Sequence, residues 1–218
     1  MPRAPNAESH GAGAAPAAVI RLPVAEGDAS LVLAARRGDR SALSALVERH
    51  APRVRRVLAR VLGPDPELSD LVQDVFLTAF STLHRLEEPS AVGPWLTQIA
   101  VFTGRGRIRR RSRWRFLRFV APEELPESLV PPHDATTSAT ARALYRVLDR
   151  LHREERVAFA LRHIDGMELT EVAQACDVSL STIKRRLSRA ESLFMNLARN
   201  EPELSERLAR AEGGRRTP

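Results

Sequence analysis

The 218-residue chain has little of several residue types, and each shortage excludes a class of protein. Its one cysteine, Cys176, cannot form an internal disulfide framework, which fits a reducing compartment. No apolar run approaches the roughly 18 residues of a membrane-spanning helix, and residues 1–20 lack a signal-peptide pattern. The six histidines form no close pair, so we expect no zinc site and no cofactor. These shortages predict a soluble, cytoplasmic protein without membrane insertion.

The composition favours helices. Aromatic residues are only 5% of the chain and continuous β-branched runs are scarce, whereas Leu, Ala and Arg dominate. The net charge is +7, and Lys184 is the sole lysine among 34 basic residues. An arginine fork pairs well with phosphate or guanine, although GC-rich codon usage explains the same bias. Composition therefore predicts a basic, all-α protein. It does not show what the arginines bind, which depends on where they lie in the chain.

Changes in composition divide the chain into five segments. Residues 1–28 are rich in Pro, Gly and Ala without a period, and residues 121–138 combine four prolines and four acids with no Lys or Arg. Neither stretch can bury a core, so we expect a disordered tail and a linker. The predicted organisation is a tail at 1–28, a helical domain at 29–119, a Pro-rich acidic linker at 120–138, a second helical domain at 139–199 and a charged tail at 200–218.

Four helices are predicted in the first domain. From caps and stop signals we place them at Asp28 or Ser30 to Arg37, Asp39 to Leu62, Asp65-Pro66 onward, and Ser90 onward. Pro52 lies inside the second helix, where it removes a backbone hydrogen bond, so we expect a kink or a break there.

The third of these helices has two distinct faces. Apolar residues recur along one face at helical spacing and predict a core stripe: Leu68, Val72, Val75, Ala79 and Leu83. The opposite face carries Asp70, Gln73, Asp74 and Leu77. This pattern fits either a solvated face or a docking surface, and spacing alone does not decide between them.

The fourth helix leads into a dense basic run. Eight arginines lie within residues 105–118 with no acid among them, and aromatic residues are interleaved. Charges of one sign at this density repel each other unless a polyanion screens them, so the run indicates contact with nucleic acid. A disordered basic flank is the alternative. Gly104 and Gly106 indicate either fraying or a close approach of another backbone.

Residues 168–190 have the pattern of a helix-turn-helix. A short helix ends near Cys176, Asp177 occupies the turn, and Ser179 caps the next helix. That helix turns its apolar residues inward and a polar, basic set outward: Ser181, Thr182, Lys184, Arg185, Arg186 and Arg189. A capped helix end with hydroxyls and cations suits the major groove of DNA, where the first side chains reach base edges and the later cations hold phosphates.

In this order, the motifs resemble those of the extracytoplasmic-function (ECF) sigma factors of bacterial RNA polymerase. The segment Asp70-Leu-Val-Gln-Asp-Val-Phe-Leu-Thr-Ala-Phe80 is similar to the family's Asp-Leu-Val-Gln-Glu-Val-Phe segment, and Trp95-Leu-Thr-Gln-Ile-Ala100 is similar to the segment that follows it. Leu148-Asp-Arg-Leu151, Leu161-Arg-His-Ile164 and the helix-turn-helix resemble the second sigma domain. The resemblance covers residues 30–118 and 139–199.

The resemblance implies a role for each surface. It implies that the β′ clamp helices of core RNA polymerase bind one side of the third helix: Asp70, Leu71, Gln73, Asp74 and Leu77. It implies that the basic run holds the −10 element and the melted strand: Arg105, Arg107, Arg109, Arg110, Arg111 and Arg113.

The resemblance also implies that the outward polar and basic residues at 181–189 read the −35 element of promoter DNA. It implies that the second domain touches the β flap of the polymerase. An anti-sigma factor is a further expected partner. The implied function is that of an alternative sigma factor, without enzymatic activity, which binds core polymerase, recognises and melts promoters, and initiates transcription.

The sequence departs from the family pattern after Ile99-Ala100. The family has Arg-Asn and then Asp where this chain has Val101-Phe102 and Gly106, so an altered −10 preference is our hypothesis. A second interpretation is a helix-turn-helix regulator that acts without replacing the resident sigma and uses its first domain to dimerise or to sense a ligand. The third helix separates the two, since only a sigma factor needs its acidic side for core polymerase.

Overall fold

The computed structural model describes residues 27–117 and 135–213, with side chains at 27–113 and 139–207. Every regular element in these ranges is helical, so the all-α prediction is confirmed for this part of the chain. The predicted tail at 1–28, except Gly27 and Asp28, and the linker up to residue 134 lie outside it. The α-helices are α1 (Asp28–Arg36), α2 (Arg40–Leu62), α3 (Leu68–Thr82), α4 (Val92–Leu117), α5 (Ala135–Leu148), α6 (Arg153–Phe159), α7 (Leu169–Cys176), α8 (Leu180–Ala198) and α9 (Pro202–Gly213). None of these helices is both long enough and apolar enough to cross a bilayer, within the residues that are described.

Helices α1 to α4 form the first domain around an aliphatic core. Its largest fully buried side chains come mainly from α2 and α3: Leu46, Val54, Val57, Leu58, Val61, Leu62, Leu71 and Val75. α2 is one continuous helix although it contains Pro52, so the chain has no break there. Proline removes one backbone hydrogen bond, and the buried side chains on both sides of it hold the helix together.

The start of α1 differs from the prediction. Gly27 precedes the helix, and neither Asp28 nor Ser30 caps it. Asp28 lies in the first turn, where its Oδ1 is 2.8 Å from Arg49 Nη1 and 3.3 Å from His50 Nε2. Burial by itself would raise the pKa of Asp28, but the hydrogen bond from Arg49 and the charge of His50 lower it. The carboxylate therefore joins α1 to α2.

Helices α5 to α8 form the second domain. α5 begins at Ala135, within the segment that we predicted as linker. α6 continues into a π-helical turn at Ala160–Ile164, and Gly166 follows with a φ of +84°, as expected of a glycine that ends a helix.

Residues 202–213 form α9, where we predicted a charged tail. Leu204 is buried together with Ala143 and Val147 of α5 and Ala198 of α8. Arg146 Nη2 is 2.8 Å from Glu201 Oε2, which adds an ion pair at the same junction. We did not predict this helix because its sequence is rich in charged residues. A single buried leucine is enough to dock it on α5, and one leucine makes no apolar stripe that the sequence could show.

The two domains pack against each other and share one hydrophobic core. α7 lies on α4, and α6 contacts α4 as well. Buried residues of the second domain, including Val157, Leu161, Val172 and Ala175, belong to the same cluster as the core of α1 to α4. This packing places the helix-turn-helix beside the basic helix.

Candidate nucleic-acid interface and acidic face

The outer side of α3 carries an acidic face, which consists of Asp70, Gln73, Asp74 and Leu77. All four side chains are exposed, and Leu77 is 60% exposed. They recur at one-turn spacing because the opposite side of α3 is fixed in the core. An exposed leucine among carboxylates offers apolar contact and negative charge on one rigid element.

Leu71 does not belong to the acidic face, although we assigned it to polymerase binding. Its side chain is 1% exposed and lies in the core with Val75. Residues four apart share a helix face, so position 71 turns with position 75 toward the core and away from Asp70. Truncation of Leu71 would therefore report on stability and not on binding.

The six arginines that we assigned to the −10 element form two groups. Three are exposed on α4: Arg109, Arg110 and Arg113. The other three are partly buried and lie in ion pairs with carboxylates: Arg105, Arg107 and Arg111. The first group offers free cations to phosphates, whereas the second also holds the protein together.

Asp65 anchors two of the paired arginines. Its fully buried carboxylate lies 2.9 Å from Arg107 Nε and 3.4 Å from Arg111 Nη1. Glu67 Oε2 lies 2.6 Å from Arg107 Nη1. The pKa of Arg107 is raised, mainly by its hydrogen bonds to Asp65. We predicted Asp65 as the cap of α3. The helix begins at Leu68, but Asp65 Oδ1 accepts a hydrogen bond from Glu67 N at 3.0 Å in the turn before it, and the same carboxylate fastens this turn to α4.

The departures from the family pattern have different surroundings. Val101 is fully buried, whereas Phe102 is 48% exposed with the guanidinium carbon of Arg105 5.2 Å from its ring centroid. A Cβ on Gly104 would lie 3.3 Å from Val61 Cγ1, so this glycine permits close packing of α4 on α2. A Cβ on Gly106 would meet open space. Along the exposed side of α4, the aromatic ring of Phe102 comes first, Gly106 follows without a side chain, and the exposed arginines begin at Arg109.

The helix-turn-helix has the local geometry that the sequence predicts. α7 ends at Cys176, and Asp177 has a left-handed backbone with φ of 54°, the only positive φ of a non-glycine residue in the described part of the chain. Ser179 Oγ accepts a hydrogen bond from Thr182 N at 3.3 Å, which caps α8. At the start of α7, Glu171 Oε2 accepts a hydrogen bond from Glu168 N at 2.8 Å, as the N3 residue of a capping box does. We did not predict this contact, because the usual sequence signal has Ser or Thr at the capping position.

The outward side of α8 is mostly exposed. Ser181, Lys184, Arg185 and Arg189 are exposed, while Thr182 and Arg186 are half-buried. Arg186 Nη1 lies 3.6 Å from Glu154 Oε2 of α6, so this cation turns away from the exposed set. Sequence spacing could not predict the contact with Glu154, because α6 and α8 meet only in the tertiary structure.

Cys176 lies at the end of α7 and is buried. Burial raises the pKa of its thiol, and the charge of Arg105 opposes that effect only in part. A protonated, buried thiol is a poor nucleophile, so Cys176 behaves as a small core residue.

Two family models match the chain, one for each domain. The model described as Sigma-70 region 2 matches residues 46–114, which include the acidic face and much of the basic run. The model described as Sigma-70, region 4 matches residues 141–193, which include the helix-turn-helix. A regulator that acts without replacing sigma would need only the second of these, so the paired matches disfavour that interpretation.

Curated relatives match over most of the chain. The ECF RNA polymerase sigma-E factor of Haemophilus influenzae is 24% identical over 178 residues, which cover 78% of this chain and 94% of the relative. The sigma-E factor of Escherichia coli K12 is 26% identical over 178 residues, with 78% and 93% covered.

Solved structures show the same fold. CnrH, solved in complex with the cytosolic domain of CnrY, aligns with a TM-score of 0.53 and 23% identity over 79% of this chain and 97% of CnrH. The sigma factor RpoE of Bartonella quintana, solved with the anti-sigma factor NepR, aligns with a TM-score of 0.52 and 22% identity over 71% of this chain and 94% of RpoE. With regions 2 and 4 both matched in order, this chain belongs to the ECF sigma factors and is an alternative sigma factor that directs transcription by RNA polymerase.

Proposed function

We propose that the acidic face of α3 binds the β′ clamp helices of core RNA polymerase. The observation that carries this proposal is the exposure of Leu77 on the same side as Asp70 and Asp74, on a helix whose other side is fixed in the core. The apolar side chain supplies contact area, and the carboxylates supply orientation and attraction to a basic partner.

A pull-down with purified core polymerase tests this assignment. Asp70→Arg and Asp74→Arg each reverse a charge on the acidic face, and we expect both to weaken holoenzyme formation by at least tenfold, about 1.4 kcal/mol or more. Glu48→Arg is the matched control, because Glu48 is exposed on α2 away from this face. Equal recovery of core polymerase by all the proteins would contradict the assignment.

We propose further that the exposed side of α4 holds the melted −10 region. Arg109, Arg110 and Arg113 are free to bind phosphates, and Phe102 offers a ring on which an unstacked base can lie. Arg105, Arg107 and Arg111 can contribute only where DNA phosphates replace their present carboxylate partners.

The exposed set on α8 is proposed to read the −35 element. Ser181, Lys184 and Arg185 lie in the first turns of a capped helix, which is the part that enters a major groove, and Arg189 lies one turn further on, where it can hold a phosphate. Thr182 and Arg186 also belong to this proposal, although Arg186 must first leave Glu154. The second domain is proposed to contact the β flap as well.

The remaining assignments concern the chain as a whole. We predicted the first domain at 29–119, the linker at 120–138 and the second domain at 139–199. Because α5 begins at Ala135 and α9 docks on α5, we propose that the second domain spans 135–213 and the linker ends at 134. We also propose that the protein acts in the cytoplasm beside the polymerase. In this role it makes and breaks no covalent bond itself. The match to the sigma factor RpoE, which was solved with the anti-sigma factor NepR, supports an anti-sigma protein as a partner.

A further inference from the structure

Five large hydrophobic side chains are exposed in the described part of the chain: Leu33, Leu77, Phe102, Leu180 and Leu193. Two of them lie on surfaces that already have a proposed partner, Leu77 on the acidic face and Phe102 on the exposed side of α4. Leu180 is 37% exposed and lies beside the residues proposed to read the −35 element. Single exposed leucines are common on protein surfaces, so the position of Leu180 decides what its exposure means.

Leu180 is the first residue of α8. It follows the cap Ser179 and precedes Ser181 at the end of the helix that is proposed to enter the major groove. In helix-turn-helix proteins, the N-terminal residues of this helix contact the edges of the bases. The side chain of Leu180 is therefore in the part of α8 that comes closest to the bases when DNA is bound.

The start of α8 is fixed in the core without Leu180. A hydrophobic staple joins the residue before a helix cap to the fourth residue of the helix. In α8 these are Val178, which is half-buried against the core, and Ile183, which is fully buried in it. Leu180 belongs to none of the hydrophobic clusters among the described residues. Its apolar surface therefore remains available to a partner.

The charge of the first turn also fits a contact with DNA. Acidic side chains in the first turn stabilise a helix, and α1 and α7 have Asp28 and Glu171 there, but the first turn of α8 has no acidic residue. A carboxylate at this end of α8 would repel the phosphates of a bound duplex. Leucine is neutral and causes no such repulsion, so the first turn of α8 suits groove binding better than it suits helix stability.

The hydroxyl groups beside Leu180 contact one another. Ser179 Oγ lies 3.0 Å from Ser181 Oγ and 2.9 Å from Thr182 Oγ1, and it accepts the capping hydrogen bond from Thr182 N. A hydroxyl that is free to rotate donates or accepts and so pairs with several bases. These side chains therefore discriminate weakly between bases, and Leu180 is the side chain in the first turn that has a single chemical preference.

That preference is for thymine. Among the groups that base pairs present in the major groove, the C5-methyl of thymine is apolar, whereas the others are hydrogen-bond donors or acceptors. Contact between a leucine and this methyl removes two apolar surfaces from water. Contact with the amino group of cytosine or with O6 of guanine would desolvate a polar group and provide no hydrogen bond. An exposed leucine in the groove therefore favours a T·A pair.

The helix geometry also gives the register of this contact. Leu180 and Lys184 are four residues apart, so they share one side of α8 and are separated by about 6 Å along its axis. Successive base pairs are stacked about 3.4 Å apart. Two side chains with this separation reach bases that are about two base pairs apart when the helix lies along the groove.

We infer that Leu180 is a specificity-determining residue of the −35 contact and selects a thymine by its methyl group, about two base pairs from the base that Lys184 contacts. This inference rests on the proposed role of α8 in reading the −35 element. It adds an apolar contact to the polar contacts of Ser181, Lys184 and Arg185, and it gives the exposed side of α8 a preference that hydrogen bonds alone would not produce.

Replacement of thymine by deoxyuridine tests the inference in the holoenzyme. Deoxyuridine pairs with adenine as thymine does and lacks only the C5-methyl group. The preferred −35 sequence is first selected from a promoter library with the parent holoenzyme, and each thymine of either strand is then replaced in turn. We expect one replacement to lower the affinity of the parent holoenzyme for the promoter about three- to fivefold, as the loss of one buried methyl group does.

Variants of the leucine show whether this methyl effect belongs to position 180. Leu180→Ala should lose about three- to fivefold in affinity on the thymine promoter and lose nothing further on the deoxyuridine promoter. Leu180→Met keeps an apolar side chain and should remain sensitive to the methyl group. Leu193→Ala is the matched control, because Leu193 is 38% exposed on the same helix. It lies about 20 Å farther along α8 and on another side of it, so this variant should behave as the parent.

The outcomes separate this inference from the −35 assignment itself. Equal losses for Leu180→Ala with thymine and with deoxyuridine would overturn the inference, as would a selected −35 sequence without a T·A pair. Lys184→Ala and Arg185→Ala are measured in the same assay. If both keep the full −35 preference of the parent, the proposed −35 surface fails and the inference fails with it. If they relax the preference while Leu180→Ala stays sensitive to the methyl group, the inference alone is wrong.

Discussion

Single arginines in this chain serve two purposes, and the carboxylates and carbonyls within reach decide which. Arg107 lies against the buried Asp65, and Arg156 lies against helix carbonyls, so both stabilise the fold. Burial lowers the pKa of Arg156, while the charge of Asp149 opposes that change. Arg109 and Arg185, by contrast, are exposed and free to bind phosphate or a base edge.

The exposed cations of α8 lead to a prediction about sequence preference. Lys184→Ala and Arg185→Ala should each impair transcription more at some −35 sequences than at others, since a bidentate contact with a base discriminates by about 1–3 kcal/mol. Run-off transcription across a −35 library measures the effect. Arg150→Ala is the control, because Arg150 is exposed in the same domain but lies outside α8. A uniform loss across all −35 sequences would mean that the two residues contact phosphates alone.

The departures on α4 lead to a second prediction at this scale. Phe102→Asn and Gly106→Asp each restore a residue of the family pattern, and Gly106 has open space for the new side chain. We expect promoter preference at the −10 element to shift in both variants, because one removes an exposed ring and the other adds an acid beside the arginines. Selection from a −10 library would measure this shift, and unchanged preference in both would count against the hypothesis.

At the scale of elements, helix ends determine where the functional side chains point. The left-handed Asp177 and the Ser179 cap fix the angle between α7 and α8, and Ala173 and Val172 are buried where the helices meet. α4 is held along its length in a different way, because Gly104 lets it approach α2 closely and Asp65 fastens its basic half. Both candidate DNA surfaces thus lie on rigid helices.

The cap of α8 leads to a prediction about stability. Ser179→Ala removes the acceptor for Thr182 N and should lower the free energy of unfolding by about 1 kcal/mol. Urea denaturation of the full-length protein, followed by circular dichroism, measures the change. Ser192→Ala is the matched control, since Ser192 lies in the exposed middle of α8 and alanine favours a helix there. A loss in Ser192→Ala as large as in Ser179→Ala would contradict the capping role.

At the scale of the whole molecule, charge is unevenly distributed over the surface. The acidic face of α3 and the exposed arginines of α4 and α8 lie on separate helices of one chain with a net charge of +7. A surface with both signs can bind a basic partner and a polyanion at the same time, which is what an adaptor between an enzyme and its template requires.

The arginines of α4 lead to a prediction about salt. Binding of the full-length protein to a single-stranded oligonucleotide should weaken steeply with salt, because each neutralised phosphate contributes about 0.7 to the slope of log K against log salt. Arg109→Ala, Arg110→Ala and Arg113→Ala should each reduce that slope by about this amount. Fluorescence anisotropy at several salt concentrations gives the slopes, and an unchanged slope in the triple variant would exclude these residues from the contact.

Local spacing along the chain predicts most of the helices, their faces and the turn of the helix-turn-helix. These features depend on neighbours within about one helical turn, such as Ser179 with Thr182 or Asp70 with Asp74. Residues three or four positions apart can be recognised directly in the sequence. The resemblance of successive motifs added the family, which the matches to both sigma regions confirm.

Which charges are free and which are paired depends on contacts between segments that are far apart in the sequence. Arg105 meets Glu154, Arg107 meets Asp65 and Arg156 meets Leu62 across 42 to 94 positions of sequence, where no periodicity connects the partners. The same holds for α9, whose docking depends on Leu204 reaching α5. A guanidinium binds whichever oxygen the fold brings within about 3 Å, so its role is set by packing and not by its place in a basic run.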